Sequence, residues 1–147
     1  MRNTQLGDKI KVLLAMVPTI GIVGAQTTVE VDGRGYERAL WMLTTGVATS
    51  TAKLDFKIRN AVATGMGSDA DQAGAVLTQV PDTGGSKVYT IDAPVDPARP
   101  FMKPTCTTTT AAMVCGAICI LYKGYGGSGA AGIYPVATTY ATQAVVV

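Results

Sequence analysis

A chain of 147 residues without a histidine has few ways to move a proton near neutral pH. Serine and cysteine nucleophiles are commonly activated by an imidazole, and most catalytic zinc sites use one as a ligand. What remains for chemistry is ten carboxylates and three thiols. Asp69 and Asp71, in "GSDADQAG", resemble the start of a calcium loop only loosely, because no Glu closes the twelfth position. The expected role of that stretch is a surface loop. Cys106, Cys115 and Cys119 are odd in number, so they cannot all pair within the chain. Cys115 and Cys119 lie in the apolar run "AAMVCGAICILY", where even spacing on a strand puts both on one face. Four residues along a strand is roughly 13 Å, too far for a disulfide. Free thiols acting as small core hydrophobes, in a reducing compartment, are the expectation. No enzyme activity, metal or cofactor is expected.

The groups that could do chemistry give no catalytic set, so the elements that carry them become the subject. The length suits one domain with a real core. A net charge of +2 with only 15% charged residues lacks the dense basic surface that neutralises phosphates. The nearest thing to a basic cluster is Arg34, Arg38, Lys53, Lys57 and Arg59, with Glu37 and Asp55 among them. That mixture reads as a solvated strand face, and no nucleic-acid partner is expected.

The stretch "KIKVLLAMVPTIGIVGAQTT" imitates a secretory signal. Arg2, Lys9 and Lys11 precede an apolar run from Val12 to Gly24, which ends at the small residues of Val23-Gly24-Ala25. The run is shorter than the roughly 20 residues a membrane span needs, and Pro18, Gly21 and Gly24 interrupt it. No membrane partner is expected. The chain is expected to keep Met1 and this stretch as an apolar arm, covered by its own core or by a partner. A secreted or periplasmic β-domain is the alternative.

The middle of the chain reads as β-strands. Leu54, Phe56 and Ile58 alternate with Lys53, Asp55, Lys57 and Arg59, so one strand face is buried and one is wet. Val29 and Val31 alternate before a turn at Asp32-Gly33-Arg34-Gly35, and a strand from about Glu37 to Thr44 carries the only tryptophan, Trp41, a core candidate. "AVLTQV", "KVYTID" and "FMKPTCTT" add short strands, and "MVCGAICILY" is expected to run through the centre. Helical turns have room only in residues 4–16 and in "MGSDADQAGAVL". Past Tyr122 a Gly/Ser tract leads to an apolar tail ending in three valines, which would be satisfied by pairing along a sheet edge. The expected fold is therefore all-β, an antiparallel β-sandwich or barrel-like domain with extended N- and C-terminal arms. Its divisions are an arm over 1–26, a core over 27–123, and a Gly-rich loop with a C-terminal arm over 124–147.

The run "TTVEVDGRGYERALWMLTTGVATSTAKLDFKIRN", with "AGAVLTQV", "KVYTID" and "ARPFMKPTCT" after it, resembles small capsid decoration, or cement, proteins of tailed bacteriophages. These are encoded beside the major capsid protein. The resemblance spans about residues 27–123 and is most specific at Val31-Asp32-Gly33, Gly35-Tyr36 and Leu54-Asp55-Phe56-Lys57-Ile58. It implies a structural virion protein, made in the host cytoplasm, that binds the outer capsid surface and bridges capsomers of the major capsid protein. It further implies a symmetric homo-oligomer, expected to be a trimer with a dimer as alternative. Another virion component, such as a head-tail connector, tail or fibre protein, is the competing reading. The contact candidates in the N-terminal arm are Leu13, Leu14, Val17, Ile20, Ile22 and Val23. Arg34 and Tyr36 at the turn, and Val145, Val146 and Val147 at the C-terminus, complete the set.

Overall fold

The computed structural model describes residues 10–19, 23–122 and 140–146. In chain order the strands are β1 (Ile10–Thr19), β2 (Gly24–Ala25), β3 (Val31–Asp32), β4 (Arg38–Ala48), β5 (Lys53–Ala61), β6 (Ala70–Val76), β7 (Val80–Pro81), β8 (Lys87–Pro94), β9 (Phe101–Thr109), β10 (Met113–Tyr122) and β11 (Tyr140–Val146). They form two antiparallel sheets. The first has the order β1-β10-β4-β8-β11; the second has the order β2-β9-β5-β6, with β3 added on β9 and β7 on β5. The chain is an all-β sandwich, as its alternating patterns require.

The alternation in "LDFKI" decides how β5 sits. Leu54, Phe56 and Ile58 are 1% exposed or less, while Lys53 and Asp55 are in solvent. From the opposite sheet, Trp41 and Leu43 of β4, Ile91 of β8 and Leu121 of β10 close the core against them. Burying side chains of this size is worth about 1.5–3 kcal/mol each, so these two facing rows are the main hold between the layers. The turn at Asp32-Gly33-Arg34-Gly35 forms but does not make a hairpin. β3 pairs β9 in one sheet and β4 belongs to the other, so the turn carries the chain between layers. Gly35 takes φ +84°, which a side chain would resist. Gly33 sits so close to Met102 and Val95 that an added Cβ would lie 2.8 Å and 2.9 Å from their side chains.

The apolar N-terminal stretch departs from the expected arm. Ile10–Thr19 is an edge strand paired with β10, from Ile10 opposite Tyr122 to Thr19 opposite Cys115, with register slips after Leu14 and after Met16. Ala15 and Met16 are both fully buried although adjacent, because the register slips between Leu14 and Met16. No helical turn occurs within residues 10–16. In "MGSDADQAGAVL" only Met66 belongs to a short 3-10 turn, which covers Thr64–Met66, and Ala70–Val76 forms β6 in place of the expected loop. At the other end β11 pairs the outer side of β8, with Val145 opposite Val88 and Val146 opposite Lys87. The expected edge pairing of the tail is thus found. Residues 123–139, which hold the Gly/Ser tract, lie outside the described residues, as do Ile20, Ile22 and Val147.

Candidate functional site

The two outer faces of the sandwich differ in kind. On the second sheet, β5 and β6 present an ion-paired surface: Lys57 Nζ lies 2.8 Å from Asp71, and Arg59 contacts Asp69 at 2.8 Å and Asp71 at 3.2 Å. Asp69 and Asp71 are committed to these cations. The hydrogen bond from Lys57 holds the Asp71 carboxyl below its ordinary range. The basic cluster of the sequence is divided, with Lys53, Lys57 and Arg59 on β5 but Arg38 in the opposite sheet and Arg34 in the turn.

The first sheet presents apolar side chains outward. Alternation sends Leu40 and Met42 of β4, and Ile118 and Ile120 of β10, away from the core occupied by Trp41 and Cys119. Register aligns them with β1: Val12 opposes Ile120, which opposes Leu40, and Leu14 opposes Ile118, which opposes Met42. Two rows of three apolar side chains therefore cross three adjacent strands. Val12 is 61% and Leu14 51% exposed, and the inner four are half-buried by one another. Val17, further along β1, is 54% exposed. At strand and row spacings of about 4.8 Å and 6.8 Å the two rows cover roughly 200 Å². That is the size of an interface's apolar centre rather than of a whole interface, since a standard partner buries about 800 Å² per side.

A polar group bounds the patch on the Arg38 side. Tyr122 Oη donates to Asp92 Oδ2 at 2.8 Å, and Arg38 Nε donates to Asp92 Oδ1 at 3.1 Å and to Tyr122 Oη at 3.2 Å. Burial, reinforced by the bond to Asp92, raises the Tyr122 hydroxyl above its ordinary value. Burial opposes the Arg38 charge, but the bonds to Asp92 and Tyr122 outweigh it. The three side chains tie β4, β8 and β10 together at the edge of the apolar rows, which fixes the backbone under the patch.

The contact candidates from the sequence separate on this surface. Leu14 and Val17 are exposed on β1, with Leu14 inside the patch. Leu13 points the other way and packs against the core. Val23 is 59% exposed beside β2, away from the two apolar rows in the sheet order. Arg34 forms a fork with Asp32, its Nη2 2.6 Å from Oδ2, and its guanidinium stacks 5.1 Å over the Phe101 ring. It braces the turn. Tyr36 packs partly into the core. Leu40, Met42, Ile118 and Ile120 were not singled out, yet they form most of the patch. The signal lay in "ALWML" and "MVCGAICILY", which are apolar on both strand faces. The chain matches no family model, no curated protein and no solved structure.

Proposed function

We propose that this protein is a capsid decoration protein of a tailed bacteriophage, bound to the outer surface of the shell and bridging capsomers of the major capsid protein. The observation that carries the reading is the exposed double row Val12–Ile120–Leu40 and Leu14–Ile118–Met42 on a rigid sheet whose opposite number in the sandwich is charged. An apolar face of this kind on a small β-domain serves contact with another protein. The sequence resemblance described above supports a major capsid protein as that partner. Covering a half-exposed leucine is worth about 1 kcal/mol, so a patch of roughly 200 Å² gives a weak contact when single. A symmetric oligomer repeats the contact at identical sites on the shell and converts weak binding into lasting attachment. A homotrimer at local threefold positions fits this need, and a dimer at local twofold positions is the other closed arrangement. The protein would be made in the host cytoplasm and reside on the finished particle.

The test is co-sedimentation of the purified full chain with empty shells of the major capsid protein. Saturable binding to the shell exterior, lost in the Leu14→Lys variant, is the expected result. Absence of binding to intact shells, with binding instead to isolated tail or portal assemblies, would establish the connector or tail reading.

A further inference from the structure

Spacing along one strand keeps Cys115 and Cys119 apart, but the sandwich brings a different pair together. Cys106 lies on β9 in the second sheet and Cys115 on β10 in the first, and their sulfurs are 3.9 Å apart in the core. Both are 1% exposed. The chain reverses from one sheet to the other within Thr110–Ala112, where Thr110 takes φ +69° and the Ala111 amide bonds Thr109 O at 2.8 Å. That tight arch sets the two cysteines face to face. Cys119, fully buried further along β10, is across from Leu13 and Trp41.

We propose that Cys106 and Cys115 are a latent disulfide site, closed by a low-molecular-weight disulfide of the glutathione class to staple the two sheets. Sandwich cores accommodate such a bridge between facing sheets. Closing it requires the sulfurs to approach from 3.9 Å to about 2.05 Å. The two buried thiols share one sulfur–sulfur hydrogen bond in which either can be the donor, and burial disfavours the charge on Cys106. Either sulfur can open the exchange, and the steps balance in the same way with Cys115 leading. The Cys115 thiolate attacks one sulfur of the small disulfide and expels one thiolate, giving a mixed disulfide. Cys106 then loses its proton to solvent and attacks Cys115 Sγ, expelling the second thiolate. Two protein thiols are oxidised, one small disulfide is reduced to two thiols, and Cys119 is left free. Because the pair is buried, exchange proceeds during folding or while the Thr110–Ala112 arch opens. This site is independent of any capsid contact.

The experiment folds the full chain with and without oxidised glutathione and counts thiols in denaturant. Cyanogen bromide cuts after Met102 and Met113, which separates Cys106 from Cys115 and Cys119. The oxidised protein is expected to lose about 2 Da, to retain one of its three thiols, and to keep the two fragments joined without reductant. Its Tm should exceed that of the reduced form by roughly 5–10 °C. Cys119→Ala should behave as wild type, and Cys115→Ser should leave the fragments separate. Fragmentation mass spectrometry of the joined pair names the linked sulfurs directly, so the result stands even where a variant fails to fold. Three titratable thiols after oxidation, a link through Cys119, or an unchanged or lower Tm would each overturn the proposal.

Discussion

Leu14 on β1 stands directly across from Ile118 on β10, on the solvent side of a sheet whose other side is the core. Two residues further on, Met16 of the same strand is fully buried opposite Ala117. One strand therefore serves two surfaces, and substitutions along it separate folding from contact.

Leu14→Lys and Val12→Lys place charge on the apolar rows without entering the core. Stability by urea titration is expected to change by less than about 0.5 kcal/mol. Each single contact should weaken by roughly five- to tenfold. In a trimer, where three such contacts act together, attachment to shells should fall by roughly 100- to 1000-fold.

Met16→Ala is expected to act oppositely. Its side chain has no exposed surface, and truncating a buried methionine costs about 2–5 kcal/mol. Urea midpoints should fall accordingly, while the apolar rows keep their composition. Removal of residues 1–24 should unfold the protein rather than release an arm, since it strips Ala15 and Met16 from the core.

Gly116→Ala tests how β1 sits on β10. A Cβ there would lie 2.9 Å from Pro18 Cγ and 3.1 Å from Pro18 Cα. Overpacking of this kind costs about 1–3 kcal/mol, and hydrogen exchange should accelerate first in β1. Exchange unchanged in β1 would mean that Pro18 does not press on this strand.

Tyr122 gives a pH signature. Its folded pKa is raised above the ordinary value of 10.0, first by burial and then by the bond to Asp92. The folded state therefore holds the proton more tightly than the unfolded chain. Its contribution is complete below pH 10 and is lost as pH rises through 10 towards the folded value. Tyr89, raised by burial, acts in the same direction. The Tm should be level from neutral pH to about 9 and decline above it, because the buried Cys119 thiol, pushed up to about 12, adds to the tyrosines. Tyr122→Phe should lower the neutral Tm by about 2–4 °C through the lost hydrogen bond. The same variant should make the alkaline decline shallower.

Much of the sandwich was readable where one strand face is wet. Lys53-Leu54-Asp55-Phe56-Lys57-Ile58 announces both its strand and its inward side because charge and apolar residues alternate. The apolar tail likewise led to an edge, and Val145–Val88 pairing supplies one. The N-terminal stretch was harder. Its edge strand carries apolar residues on both faces, and the register slip at Ala15-Met16 breaks the period, so an edge strand and an arm look alike in sequence. The patch was hidden for a related reason. Leu40, Met42, Ile118 and Ile120 lie between core residues in continuously apolar runs, and only the pairing of β4 with β10 shows which members face out. Cys106 and Cys115 are eight intervening residues apart. Their meeting depends on the arch carrying the chain between sheets, a relation that no local pattern encodes.

Quantitative mass spectrometry of virus particles purified from the source of this sequence tests the proposed function most directly. A copy number of the same order as the major capsid protein, with the protein removable from the outside of intact shells, is the expected result. A dozen or so copies per particle, or none, would contradict a decoration role.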